Sequence, residues 1–215
     1  MQLPDATTLT TCGLSVSDPG GRILLIACGA IAREVLAVTQ ANGWTHIDLT
    51  CLPAILHNHP ERITPAIKQA VDQNHDRYAQ IFVLYADCGT GGELFDLCKK
   101  LGVEMLKGPH CYSFFEGNAG FAERSKDEFT AFYLTDFLVR QFDAFVWKPL
   151  GLDRHPDLRD MYFGNYDKLV YQAQTNVPEL DAKARECADR LGLEYERRFT
   201  GYGDLETTLN SIDET

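Results

Sequence analysis

Between residues 22 and 111 one pattern repeats: a short apolar run, a turn, then apolar residues at helical spacing. Ile81-Phe-Val-Leu-Tyr-Ala-Asp-Cys-Gly-Thr-Gly-Gly92 carries it most plainly. The run has the length of a buried strand and ends in Asp87, Cys88 and the glycines Gly89, Gly91 and Gly92. It gives way to Glu93-Leu-Phe-Asp-Leu-Cys-Lys-Lys100, with Leu94, Leu97 and Cys98 on one helical face. Arg22–Ala27, His46–Cys51 and Val103–Leu106 read as three more strands. The intervening helices are Ile31–Asn42, stopped by Gly43, and one opened by Pro60 with Glu61 in its first turn, carrying Ile63, Ile67 and Val71. Connections of this length are too long for hairpins. They call for an α/β fold, a parallel, doubly wound, Rossmann-like sheet joined by right-handed crossovers.

The flanks read differently. Residues 1–21 are rich in Thr, Ser, Gly and Asp and predict a flexible leader before a single domain over 22–215. Phe114–Phe121 reads as a glycine-containing aromatic loop. Apolar spacing then predicts a helical region over 129–191: a long helix at 129–147 ended by Pro149, a second at 156–174, and a third from Pro178 to Leu191 closing on Gly192. Leu193–Phe199 alternates like a strand and is expected to be the sheet's fifth member. A glycine-rich turn, Thr200–Glu206, and a short helix to about residue 211 follow.

Across 215 residues, 45% hydrophobic and 24% charged describe an ordinary soluble globular protein. The formal net charge of −11, with no lysine or arginine cluster, argues against nucleic acid and anionic membrane as partners. No apolar run is long enough to span a bilayer, and Met1-Gln-Leu-Pro-Asp-Ala does not read as a signal peptide. A cytoplasmic location is therefore expected. Its reducing setting makes the seven cysteines thiols or metal ligands before disulfides. Cys98 and Cys187 lie on helical patterns and read as core.

Three of the predicted strands close on a cysteine: Cys28, Cys88 and Cys111. If those strands are neighbours, their carboxyl ends converge within about a nanometre, given a strand spacing of about 4.8 Å. Three thiolates there suit an iron–sulfur cluster, with zinc as the alternative, and a fourth position stays open to substrate. His57, His59 and His110 are candidate nitrogen ligands. Gly29, Gly89, Gly91 and Gly92 leave backbone N–H groups free to face an anion or cluster sulfurs. Asp87 reads as a general base or a ligand orienter, or else as a helix N-cap. Tyr202 and Glu206 are expected near the same edge. Without a local CxxC pair, thiol redox or nucleophilic chemistry and plain structural roles stay open for the cysteines.

Ile26-Ala-Cys-Gly29, Leu56-His-Asn-His-Pro-Glu61, Tyr85-Ala-Asp-Cys-Gly-Thr-Gly-Gly92, Gly108-Pro-His-Cys-Tyr112, Tyr133-Leu-Thr-Asp-Phe137 and Thr200-Gly-Tyr-Gly-Asp-Leu-Glu206 together resemble the DUF1638 family of bacterial and archaeal proteins. The likeness covers nearly the whole chain after the leader. It implies a cytoplasmic companion, in some genomes, of corrinoid-dependent methylamine and betaine methyltransferases, hence a link to one-carbon metabolism. The chain lacks an Asp-x-His-x-x-Gly corrinoid-binding pattern, so cobalamin is not carried over. Two functions are expected: a metal- or iron–sulfur-dependent enzyme acting on a small molecule, or an accessory protein that binds or delivers a metal or corrinoid to a methyltransferase partner.

Overall fold

The computed structural model describes residues 3–15 and 22–213. The chain forms two compact units, one of residues 1–111 with 205–215 and one of residues 112–204. Both are α/β, and each holds an all-parallel sheet. No helix of the described residues is long and apolar enough to cross a membrane.

The first sheet contains β1 (Ile23–Cys28), β2 (Ile47–Leu52), β3 (Gln80–Leu84) and β4 (Glu104–Met105), in the order β2-β1-β3-β4. Ile23 to Ala27 are buried on both faces of β1, as a central parallel strand requires. Leu24, Ile26, Val83 and Tyr85 pack against Ile63, Ile67 and Val71 of α3 (Ile63–Asn74) and Leu94 and Cys98 of α4 (Glu93–Leu101). Burying each large side chain in this layer stabilises it by about 1.5–3 kcal/mol. α2 (Ala32–Ala41) joins β1 to β2, whereas α3 carries the chain back past β1 to β3. Right-handed crossovers in opposite directions put α2 and α3 on opposite faces. α4 stops at Gly102, whose φ of +68° is the left-handed cap that glycine takes without strain.

The described part of the leader is ordered, contrary to its composition. α1 (Ala6–Thr11) is capped by Asp5, which accepts the N–H groups of Thr7 and Thr8 at 3.0 and 3.1 Å. Leu9 is fully buried, Arg33 donates to the Pro4 carbonyl, and Leu14 exchanges two backbone hydrogen bonds with Cys51 at 2.7 and 2.9 Å. A cap, one anchoring leucine and one bridge suffice to hold a polar segment that composition assigns to disorder. Residues 16–21 of the expected leader lie outside the described residues.

The second unit departs most from its apolar spacing. Where helices are expected at 129–147 and 156–174, it has strands β5 (Ala131–Thr135) and β6 (Lys168–Ala173). Only the remainders are helical: α7 (Asp136–Arg140), a π-helical turn at Asp143–Trp147, and α8 (Leu158–Phe163). β7 (Glu194–Phe199) pairs with β6, giving the order β5-β6-β7 in place of a fifth strand on the first sheet. Short apolar runs satisfy both periods, and Leu169 to Ala173, buried on both faces of a central strand, carry no alternation to tell them apart. α5 (Cys111–Glu116) and α6 (Asn118–Arg124) stand where the aromatic loop is expected, and α9 (Pro178–Leu191) closes on Gly192.

Register places Tyr133, Lys168, Gln172, Glu196 and Arg198 on one face of this sheet. Arg198 binds Glu116 and Glu128, each at 3.1 Å, and also Glu196; Lys168 bridges Glu128 and Glu196 at 3.0 and 2.6 Å. At the carboxyl end the buried Asp136 accepts from the Tyr171 hydroxyl at 2.7 Å, the Gln174 N–H at 3.0 Å and the Thr175 hydroxyl, tying the end of β5 to the end of β6.

Candidate functional site

The order β2-β1-β3-β4 reverses between β1 and β3, because the chain steps from β1 outward to β2 and then returns past β1. At such a reversal the two following connections leave on opposite faces and open a crevice at the carboxyl ends of the strands. β1 ends at Cys28, whereas β3 ends at Leu84, short of the expected close on Cys88, and the chain continues through Tyr85-Ala-Asp into a turn at Cys88. Ala27 is the register partner of Leu84, so the next pair, Cys28 and Tyr85, projects from the same face of the sheet. Cys28 and Cys88 both pack against the apolar layer under α3 and α4. The Cys28 sulfur accepts the Ala30 N–H at 3.5 Å, capping the 3-10 turn Gly29–Ile31. Cys88 has φ +47°, the only non-glycine residue with positive φ among the described residues. Its N–H donates to the Pro109 carbonyl at 3.0 Å, and that of Asp87 to Gly108 at 3.1 Å, which draws the loop after β4, with His110, alongside.

Burial pushes the Cys28 thiol up, against smaller opposing pulls from the Ala30 N–H and the Tyr85 hydroxyl. Burial, and then the neighbouring Cys28, push Cys88 up to about 12. No lysine or arginine is among the groups acting on either sulfur, so both are neutral thiols. Tyr85 is 2% exposed and its hydroxyl is raised well above the ordinary value, first by burial and then by Cys28, Cys51 and Cys88 around it. Cys51, the register partner of Ala27, belongs to the opposite face, where burial, Cys28 and Glu34 raise its thiol. His57 is exposed at the rim, yet desolvation by the protein on its inner side lowers its pKa. Desolvation lowers His110 too, and His57 is near enough to lower it further. The two imidazoles are neutral neighbours.

Other expected site residues land elsewhere. His59 is exposed, and its Nδ1 lies 3.6 Å from a carboxylate oxygen of the likewise exposed Glu61. The Asp87 carboxylate accepts the N–H groups of Gly92 and Gly91 at 2.6 and 3.2 Å and the Thr90 hydroxyl at 3.0 Å. Burial alone would raise its pKa; these bonds, with a further one from the Gly89 N–H, outweigh it and hold the carboxyl below its usual range. Asp87 is thus a weak base and the organiser of its own turn. The N–H groups of Gly89, Gly91 and Gly92, expected to face an external anion or cluster sulfurs, already serve this internal one. Gly29 is a packing residue: a Cβ there would sit 2.4 Å from the Leu9 carbonyl oxygen. Cys98 and Cys187 are buried on helix faces. Tyr202 stands in the turn between β7 and α10 (Gly203–Asp213), within the second unit, and Glu206 is exposed on α10. The Cys111 side chain lies outside the described residues, and among the described residues no three His, Cys, Asp or Glu side chains form a metal-holding group.

Tyr85 is the site residue that sequence reasoning passed over. Its signal was present: a tyrosine three positions before Cys88, at the end of an otherwise apolar strand. A cavity of about 460 Å³ opens at the other end of β3, between α3 and α4, lined among others by Asp72, His75, Tyr78 and Glu104. It holds no thiol, Asp72 is paired with Lys68 and Tyr78 with Asp48, so the chemistry belongs to the carboxyl edge.

Neither curated proteins nor solved structures offer a match to this chain. The model of a family described as "Protein of unknown function (DUF1638)" matches residues 51–209, a span that contains His57, Tyr85, Cys88 and His110 and begins beyond Cys28. With most of its length matched, the chain belongs to the DUF1638 family.

Proposed function

We propose that the carboxyl edge of the first sheet binds a thiophilic metal centre, an iron–sulfur cluster in preference to zinc, and that the protein acts there on a small molecule. The observation that carries this reading is the position of Cys28 and Cys88, one on each side of the β1/β3 reversal and close enough to act on each other electrostatically. The donor set fits. Two thiols and two neutral imidazoles, His57 and His110, suit a soft or borderline cation, and Cys111 follows His110 directly in the chain. Free-thiol chemistry fits less well, because a nucleophilic or redox-active cysteine needs a stabilised thiolate. Here burial raises both sulfurs with no cation to oppose it. A bound metal supplies that charge and a Lewis-acidic or electron-transferring centre. The chain's own contribution is a dry apolar floor under the sulfurs, a turn held rigid by Asp87, and a rim of two imidazoles.

The experiment is iron, acid-labile sulfide and zinc analysis with an absorption spectrum of anaerobically purified protein, on the wild type and Cys88→Ala. Wild-type protein that carries a stoichiometric metal lost on substitution supports the reading; folded wild type without iron or zinc rejects it. The accessory function, delivery of a metal or corrinoid to a methyltransferase partner in one-carbon metabolism, rests on the family resemblance. Transfer of the metal to such a partner, with no turnover of its own, is its distinguishing outcome.

A further inference from the structure

The second unit has a cavity of its own, of about 360 Å³, where β6 hands the chain on to α9. Asn176, Val177 and Pro178 of that connection line it, with Asp181 and Arg185 of α9 and Arg197 of β7. It stands at the carboxyl end of a parallel strand, the edge at which open α/β sheets bind their ligands. The chain as a whole carries a net charge of −11, yet these lining residues set two guanidiniums against one carboxylate.

Asp181 aligns both arginines. Its carboxylate lies 3.1 Å from Arg185 Nε and 3.4 Å from Arg197 Nε, and it accepts the Tyr195 hydroxyl at 2.7 Å. That hydroxyl first, and then the two arginines, hold the carboxyl below its usual range against the opposing effect of burial. The Arg185 guanidinium also lies over the Tyr195 ring, 4.3 Å from its centre, and Arg197 Nη2 donates to the Asn176 side-chain oxygen at 2.6 Å. Thr175, next to Asn176, is tied in turn to the buried Asp136. The two forks are thus fixed from their Nε sides, whereas both Nη atoms of Arg185 and Nη1 of Arg197 have no hydrogen-bond partner among the described residues. Exposed ion pairs of this kind contribute little stability. Two oriented guanidiniums with donors to spare on one cavity wall fit a bound anion better than a packing role.

We propose that this cavity binds the phosphate group of a small organic molecule, independently of any metal at the first sheet. Guanidinium forks give phosphate oxygens charge-assisted, paired hydrogen bonds. A phosphate monoester has three terminal oxygens, enough for two forks that come from different elements, and its negative charge meets the net positive charge of the lining residues. The cavity is larger than a bare phosphate needs, and Val177 and Pro178 offer the remainder of the molecule an apolar wall.

The test titrates inorganic phosphate into the full-length protein near neutral pH at constant ionic strength, following the arginine Nε–Hε signals by NMR. It compares wild type, Arg185→Gln, Arg197→Gln and Arg190→Gln. Arg190 lies further along α9 against Asp143 and Trp147, and it controls for loss of a charge as such. Wild type is expected to saturate, with the Arg185 and Arg197 signals shifting together. Arg185→Gln and Arg197→Gln should each weaken binding about tenfold or more, through the loss of charge-assisted hydrogen bonds, and Arg190→Gln should match wild type. Malonate, titrated as a carboxylate probe, should bind more weakly than phosphate. Shifts that never saturate, equal weakening by Arg190→Gln, or malonate binding as tight as phosphate would each overturn the proposal. The Arg185 side chain is more than half exposed, so its variant decides the matter if Arg197→Gln fails to fold.

Discussion

The Asp87 carboxylate accepts the backbone N–H of Gly92 at 2.6 Å, across a turn that also exposes the N–H of Gly91 to it. That single acid organises the link between β3 and α4, in which Cys88 takes a left-handed conformation. Asp87→Ala is expected to destabilise the fold by about 1–3 kcal/mol, the cost of leaving the turn's hydrogen-bonding groups without their charged acceptor. The depressed carboxyl sets the sign of the pH effect. Its stabilisation is complete above the ordinary aspartate range and disappears as pH falls through the depressed value. Denaturant titrations at pH 7 and pH 3 should show a large wild-type-to-Ala difference at the first and a small one at the second.

Burial of Leu9 makes the described part of the leader a contributor to the core. Leu9→Ala should cost about 2–5 kcal/mol, the range for a large-to-small change at a filled site. Gly29→Ala should be destabilising by about 1–3 kcal/mol, because its Cβ meets the Leu9 and Leu52 carbonyl oxygens at 2.4 and 3.1 Å. Thermal melts check both. A Leu9→Ala protein as stable as wild type would mean that α1 is not docked.

Cys88 and Cys98 are ten residues apart with opposite expectations. Cys88→Ala should lose the bound metal, since the site has no spare sulfur. Cys98→Ala, on the buried face of α4, should retain it and cost on the order of 1 kcal/mol in packing. Metal content per folded protein, measured beside a denaturation curve, separates the two effects. Retention of full metal and the wild-type spectrum by Cys88→Ala would refute the assignment.

Glu128 anchors the charged face of the second sheet. Burial opposes its ionisation, but Arg198, Lys168 and the Tyr133 hydroxyl outweigh that and hold its pKa down to about 2. A depressed carboxyl stabilises the fold fully above its unfolded value, near 4.5, and loses that contribution as pH falls toward 2. Glu128→Gln should therefore cost about 2 kcal/mol at neutral pH and almost nothing at pH 2. Paired denaturation curves at the two pH values give the answer.

The sequence by itself determined the βα rhythm of residues 22–111, the glycine cap at Gly192, and the placing of Cys28 at the end of β1, with Cys88 in the turn that follows β3. All of these depend on local spacing and on the backbone freedom of glycine, which a few neighbouring residues express. Tertiary structure alone decided the reversal of strand order that makes the ends of β1 and β3 neighbours, because the direction of a crossover is a contact between distant segments. It also decided that Tyr85 shares a face with Cys28 while Cys51 does not, since that depends on register. The second sheet escaped the spacing for a related reason: a short strand buried on both faces, such as Leu169–Ala173, shows no alternation, and only its partners β5 and β7 distinguish it from a turn of buried helix. Asp87 stands between the two cases. Its acid-before-glycine pattern reads locally as a helix N-cap, but Gly92 takes that position, and the Asp87 carboxylate instead gathers the glycine N–H groups of its own turn, which is a matter of folded geometry.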